Sequence, residues 1–294
     1  MATGCLSTAK LPEITGRDSY QGATYHTGYW PHKGVDFSGL KVAVIGTGSS
    51  GIQAIPVIAE QAAHLTVFQR TPNYSIPSRN GPMTPDYEGP WKSDYERRRA
   101  KARTMRTGIL YGVEDETWGL NNVSAMDVSP DERQRIYEER WAVGGTAFMA
   151  AFNDLITNEA SNDTAAEFVR SKIRETVKDP ETAEALCPHD YPIGTKRICI
   201  DTDYFETYNR PNVKLVDLRK TPIEAITPKG VRTTAGEQAF DAIVYATGFD
   251  AMTGTLMSID IRGRDGVELR EKWAAGPQTY LGLMCAGLPN LFMI

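Results

Sequence analysis

The 294-residue chain has little cysteine and little histidine, four of each. Cys5, Cys187, Cys199 and Cys285 are scattered, with no C-x-x-C pair and no metal-ligand spacing. That excludes a disulfide framework and a zinc module, so no metal site is expected and reduced thiols in a cytoplasmic protein are the simplest account. Basic excess is lacking too. A formal net charge of -5 argues against a nucleic-acid partner, which would want a basic face. No apolar run approaches the length of a membrane span, and the opening Met1-Ala-Thr-Gly-Cys-Leu-Ser7 has neither a basic nor an apolar segment. The sequence therefore predicts a soluble protein without a membrane partner, long enough to divide into two lobes.

Glycine, by contrast, is abundant, and three of the 26 stand in one place. Val42-Ala-Val-Ile-Gly46-Thr-Gly48-Ser-Ser-Gly51-Ile-Gln53 is an apolar β-branched run feeding a G-x-G-x-x-G turn and then a helical stretch. A dinucleotide pyrophosphate needs that order of strand, turn and helix. Gly46 lets the chain turn sharply, Gly48 leaves room for backbone N–H groups to reach phosphate, and Gly51 lets helix and strand pack closely. The pyrophosphate then sits at the positive end of the helix.

The next strand, His64-Leu-Thr-Val-Phe-Gln-Arg70-Thr71, selects the dinucleotide. An NAD site usually ends this strand with an acid that accepts from the ribose 2′-hydroxyl, and an acid would repel a 2′-phosphate. Here Arg70 can pair with a 2′-phosphate and the Thr71 hydroxyl can donate to it, so the expected cofactor is NADP(H).

Beyond this βαβ unit of about residues 36 to 77, Asn80-Gly-Pro82 and Pro85 break the pattern. From Trp91 to Lys178 the chain is charged and helix-periodic. Ser129-Pro130-Asp131-Glu132 supplies an N-cap, a first-position proline and a capping-box Glu for a helix running through Trp141. Thr164 to Val177 predicts another helix, stopped by Asp179-Pro180. The Arg97-Arg98-Arg99 cluster is expected on a solvated helix face. Strands are expected at Val213–Asp217 and Ile223–Ile226, with a hairpin tip at Pro228–Arg232, and Phe240–Gly248 as an apolar strand ending in a glycine turn. Asp203-x-x-Glu206 has the form of a capping box, which makes Asp201 and Asp203 helix-start residues rather than a catalytic pair. Asn290–Ile294 has the texture of a strand with no partner in view, so the sequence looks cut.

Tyr20-Gln-Gly22-Ala-Thr-Tyr-His26-Thr-Gly-Tyr-Trp30-Pro31 resembles the F-x-G-x-x-x-H-x-x-x-W-P signature of type I Baeyer-Villiger monooxygenases, with Tyr20 in place of Phe. An extra hydroxyl there is tolerable if it reaches a partner. Met1–Gly4, Gly46–Gln53, Phe68–Pro72, Gly194–Arg197, Asn209-Arg210 and Ala246–Asp250 are similar to family stretches in the same order. The fold this resemblance implies is α/β: a Rossmann-like, doubly wound NADP-binding domain with a helical insertion, plus partial FAD-domain segments, as in two-dinucleotide flavoproteins. Its boundaries would be a FAD-domain stub at 1–12, the NADP domain at 13–248 with an insertion at about 82–190, and a returning FAD-domain segment at 249–294.

The resemblance further implies FAD and NADP(H) as cofactors, with O₂ and a small-molecule ketone as co-substrates and an ester or lactone as product. It assigns Gly46, Thr47, Gly48, Ser49, Ser50, Gly51 and Gln53 to the pyrophosphate region and Arg70, Thr71 and Lys196 to the 2′-phosphate. It assigns Ala246, Thr247 and Gly248, like the turn at residues 2 to 4, to the crossing between cofactor lobes. Arg197 takes the position of the catalytic arginine, a permanent charge suited to stabilising an anion. Gly22, His26 and Trp30 are expected to couple the lobes rather than to do chemistry. No second G-x-G-x-x-G occurs in the sequence, which leads to the expectation of an internal fragment, inactive alone. The alternatives are an N- or S-oxygenating flavin monooxygenase and, for the chain by itself, an NADP-binding module without turnover.

Overall fold

The structure is a computed structural model, and it describes residues 1–105 and 119–294. The predicted helix-periodic stretch from Trp91 to Lys178 includes residues 106–118, which lie outside the described residues. In chain order the elements begin with β1 (Ala23–His26), β2 (Lys41–Ile45), α1 (Ser49–Gln61), β3 (His64–Gln69) and β4 (Ser75–Pro77). Helices α2 (Pro85–Ser93), α3 (Tyr95–Thr104), α4 (Pro130–Val143), α5 (Glu159–Thr176) and α6 (Pro180–Leu186) follow. Then come β5 (Cys199–Asp201), α7 (Tyr204–Thr207), β6 (Val213–Asp217), β7 (Ile223–Thr227), β8 (Gly230–Thr233), β9 (Gly236–Ala239) and β10 (Ala242–Tyr245). The last elements are α8 (Gly254–Met257), α9 (Leu269–Lys272), β11 (Met284–Cys285) and β12 (Leu288–Phe292).

A parallel sheet in the order β1-β10-β2-β3-β6 forms the centre. Its central strands β10, β2 and β3 are buried on both faces, as the middle of a sheet covered on both sides must be. Val42, Val44, Leu65, Val67, Ala242 and Val244 join the core built with α1, α4 and α5. Ala43, Ile45, Phe68, Ile243 and Tyr245 point the other way, against Ile226 and Val231. That second face is covered by the antiparallel sheet β7-β8-β9, where a doubly wound sheet in its simplest form carries helices. The hairpin tip expected at Pro228–Arg232 narrows to Pro228 and Lys229, because Gly230–Arg232 already pair with Ala225–Thr227, and this hairpin makes the cover possible.

Several local expectations are corrected. Helix α5 starts at Glu159, five residues before the expected Thr164, because the Asn158 side chain accepts from the Ser161 N–H and caps it there. Asp179-Pro180 does not simply end α5. It also starts α6, with the Asp179 carboxylate accepting from the Thr182 N–H and Pro180 in the first turn. The capping box at Asp203 is not formed. Asp203 sits in the left-handed region (φ 59°) with no side-chain cap, and Asp201 instead accepts from the Tyr204 N–H at 3.2 Å. The C-terminal stretch does have a partner. Leu288–Phe292 pairs antiparallel with β11, and the Ile294 N–H donates to the Met1 carbonyl at 3.1 Å.

Candidate functional site

The glycine turn joins β2 to α1, and each of its glycines has a separate geometric reason. Gly46 has φ 107°, and a Cβ on it would lie 2.5 Å from the Ala246 carbonyl oxygen at the end of β10. A Cβ on Gly51 would lie 2.5 Å from the Gly46 carbonyl. Gly48 is different: a Cβ there meets nothing within 4 Å, so open space lies against the backbone at the first turn of α1. The N–H groups of that turn lack intrahelical partners, which makes the opening suited to an anion. Ser50 and Gln53 are exposed beside it, and Ser49 is half-buried with its Oγ 3.4 Å from Cys199 Sγ.

Arg70 follows β3 directly and is exposed; Thr71 is half-buried. The turn and this segment are tied together. Buried Thr47 donates its hydroxyl to the Thr71 carbonyl at 3.3 Å, and Asn73 Nδ2 donates to the Thr47 carbonyl at 2.7 Å. Lys196 and Arg197 arrive from far along the chain because β5, which follows them, pairs parallel with β4, which follows Arg70 and Thr71. Both cations are exposed, and the Lys196 ammonium lies 4.1 Å from the Tyr191 ring centroid. The Tyr191 hydroxyl donates to the Pro72 carbonyl at 3.0 Å and faces Asn73 Oδ1 at 3.3 Å. Burial pushes the Tyr191 phenol up to about 12, so it remains a donor at neutral pH.

Gly22, His26 and Trp30 lie on and beside β1, which pairs with β10. A Cβ on Gly22 would be 2.3 Å from the Tyr20 hydroxyl, which itself donates to the Phe240 carbonyl at 2.9 Å. Tyr20, the departure from the family signature, thus has the partner its extra hydroxyl requires, and burial raises its phenol to about 12. His26 is 7% exposed; its Nδ1 accepts from the Gly28 N–H at 3.0 Å, which puts the neutral-state proton on Nε2. Its ring meets Phe249 edge-on at 6.0 Å, and burial lowers its pKa. Trp30 packs on Tyr25 and Phe37. The Ala246–Gly248 turn is a joint with the first residues of the chain: the Thr247 hydroxyl donates to the Lys10 carbonyl at 2.6 Å, and the Lys10 N–H donates to the Gly248 carbonyl at 2.9 Å.

The structure therefore brings Gly46–Gly51, Arg70–Thr71 and Lys196–Arg197 to one end of the sheet. His26 and Thr247 lie at a neighbouring joint. A cleft of about 780 Å³ lined by Thr182, Ala185, Lys214, Val216 and Glu237 contains none of the candidate residues.

No protein-family model matches the chain. Individual relatives do. A 2-oxo-Δ(3)-4,5,5-trimethylcyclopentenylacetyl-CoA monooxygenase of Pseudomonas putida is 44% identical, across 100% of this chain and 54% of the relative. A protein named Baeyer-Villiger monooxygenase, from Pseudooceanicola batsensis, is 40% identical across 99% of this chain and 52% of its own length. The chain is a homologue of the Baeyer-Villiger monooxygenases. Another relative, phenazine N-monooxygenase PhzNO1 of Lysobacter antibioticus, is 43% identical across 100% of the chain and 53% of the relative. Among solved structures, an oxidised steroid monooxygenase bound to NADP matches with TM-score 0.88 at 50% identity, covering 99% of this chain and 54% of that one. OTEMO in complex with FAD and NADP matches with TM-score 0.92 at 44% identity, covering 100% and 54%. This Baeyer-Villiger homologue spans about half the length of the curated relatives it matches.

Two residues at this candidate site carry structure that the sequence does not announce. Asn73 and Tyr191 link the glycine turn to both cationic segments. The only trace in sequence is position: Asn73 two residues after Thr71, Tyr191 five before Lys196.

Proposed function

We propose that this chain carries the NADP-binding lobe of a FAD- and NADPH-dependent Baeyer-Villiger monooxygenase, which inserts one oxygen atom of O₂ beside a ketone carbonyl to give an ester or lactone. The observation that carries this is the open backbone at Gly48, on the first turn of α1, with Arg70 and Lys196 exposed on segments that β4 and β5 hold together. Gly46, Thr47, Gly48, Ser49, Ser50, Gly51 and Gln53 would hold the pyrophosphate by backbone N–H groups and short polar side chains. Arg70, Thr71 and Lys196 would hold the 2′-phosphate, which three donor groups suit and an unphosphorylated ribose does not need.

Similarity to OTEMO in complex with FAD and NADP supports FAD as the second one. The turn Ala246–Gly248 is this chain's proposed contribution toward it, and residues 1–12 and 249–294 its proposed share of the second lobe. FAD, when bound, supplies the oxygen-activating redox chemistry. Arg197 would place a fixed positive charge where negative charge develops during oxygen insertion, a role for which a guanidinium that never deprotonates is suited. His26, held neutral and bonded within its own turn, is proposed to couple lobes rather than to transfer protons. A ketone is favoured as substrate because relatives include one named for Baeyer-Villiger oxidation and one named for a 2-oxo cyclopentenyl compound.

The test is titration calorimetry of the purified chain with NADP⁺ and NAD⁺. The expected result is clear preference for NADP⁺, lost in Arg70→Ala with NAD⁺ binding unchanged. Equal affinity for both nucleotides in the unaltered chain overturns the cofactor assignment. Product analysis on the longest reading frame containing this chain, offered a cyclic ketone and an aromatic N-heterocycle, is expected to yield the lactone. N-oxide as sole product would replace the ketone reading by the one the phenazine relative's name describes.

A further inference from the structure

We propose that Tyr191 is a specificity-determining positioning residue: its ring holds the Lys196 ammonium ready for the 2′-phosphate of NADP, and its hydroxyl fixes that ring to the segment following Arg70 and Thr71. The inference rests on the reading of Lys196 as a 2′-phosphate ligand.

Lys196 is exposed on a loop, and a free lysine there would give up much side-chain freedom on pairing with a phosphate. The Tyr191 ring takes up that cost beforehand, with Nζ 4.1 Å from its centroid. A ring face attracts the charge without using the ammonium's three N–H donors, so they stay available to an anion. The ring is itself immobilised. It meets Tyr74 edge-on at 5.5 Å, and its hydroxyl donates to the Pro72 carbonyl at 3.0 Å. Asn73, 3.3 Å from that hydroxyl, donates in turn to the Thr47 carbonyl in the glycine turn. The Lys196 ammonium, the segment that follows Arg70 and the glycine turn are thereby joined through one tyrosine.

The experiment measures NADP⁺ and NAD⁺ dissociation constants for the chain and for Lys196→Met, Tyr191→Leu, Tyr191→Phe and the Lys196→Met/Tyr191→Leu double variant. Tyr191→Leu is expected to weaken NADP⁺ by about two- to ten-fold, the ordering cost of one long side chain, and to leave NAD⁺ unchanged. Tyr191→Phe, which keeps the face, is expected to retain most of the preference. In the Lys196→Met background the Leu substitution should add nothing. If Lys196→Met loses NADP⁺ affinity while Tyr191→Leu does not, or if the two effects simply add, the Tyr191 proposal is overturned and the cofactor reading stands. If Lys196→Met changes neither nucleotide, the 2′-phosphate role of Lys196 falls and takes the inference with it. Should Tyr191→Leu not fold, the unaltered chain still decides: NMR of its lysine side chains should show the Lys196 ε-methylene shifted upfield by the ring, and an unshifted signal overturns the contact.

Discussion

An added methyl group at Gly51 would come within 2.5 Å of the Gly46 carbonyl, and at Gly46 within 2.5 Å of the Ala246 carbonyl, both backbone atoms that cannot swing away. At Gly48 the same methyl meets nothing. Gly51→Ala is therefore expected to cost about 1–3 kcal/mol of stability, as overpacking does, measured by urea unfolding. Gly48→Ala is expected to stay within about 1 kcal/mol of the parent yet to weaken NADP⁺ at least about ten-fold, because the methyl would occupy space proposed for phosphate. Unchanged binding in Gly48→Ala would move the phosphate elsewhere. His26 offers a prediction in pH. Burial lowers its pKa below the ordinary 6.5, so the folded state prefers the neutral ring. The unfolded chain then binds more protons as pH falls through 6.5, and stability present above that pH is lost below it. His26→Gln should flatten the decline in urea-unfolding free energy between about pH 7 and 5 relative to the parent; an identical slope would show that His26 does not titrate differently on folding.

The elements carry a contrast between two helix starts. Asn158 caps α5, accepting from the Ser161 N–H, and Asn158→Ala should cost about 1 kcal/mol. Asp203, which the D-x-x-E spacing marks as a cap, caps nothing with its side chain and holds φ 59°. Asp203→Gly should therefore be neutral or stabilising, where a true cap-to-glycine change would not stabilise; thermal unfolding distinguishes them. The reason the sequence misleads here is that a buried competitor stands two residues earlier. Asp201 is 5% exposed, accepts from the Ser75 hydroxyl as well as the Tyr204 N–H, and has its carboxyl raised by burial. Such a competition between two aspartates is settled by tertiary burial, which spacing does not encode. The βαβ unit was legible because Val42–Ile45 is apolar without interruption, Leu65, Val67 and Phe68 follow it with only Thr66 between them, and the glycines have backbone reasons that need no distant partner except Ala246. Strand β1, with the exposed Ala23 and Thr24, carries no such signal; it is a strand because β10 lies beside it. Tyr191 and Asn73 were hidden for the same reason, since they meet across 118 residues of sequence and the β4–β5 pairing brings their segments together.

Across the molecule, the first ten residues and those from Phe249 onward pack together in one region beside the central sheet. Asp250 donates its N–H to the Thr8 carbonyl, Met252 to that of Cys5, and Ile294 to that of Met1, while Ala9 bridges Phe249. The apolar cluster here is small: Leu256, Leu269, Trp273, Cys285, Leu288, Leu291 and Met293 are its buried members. Around it Tyr280, Leu281, Leu283, Phe292 and Ile294 are half or more exposed. So little buried apolar area cannot match the opening free energy of a sheet covered on both faces. The link to that sheet is the joint at Thr247 and Lys10, with the His26 ring edge-on to Phe249 beside it. Native-state hydrogen exchange should accordingly show β11 and β12 opening at lower free energy than β2 and β10, as a unit of their own. Thr247→Val, which removes the 2.6 Å bond to the Lys10 carbonyl, should speed exchange in residues 5 to 10 and 249 to 252 while leaving β2 unaffected. If β12 and β2 instead exchange at one common free energy, the two regions open together and the joint is no hinge; if they separate but Thr247→Val changes nothing, the hinge lies with His26 and Phe249.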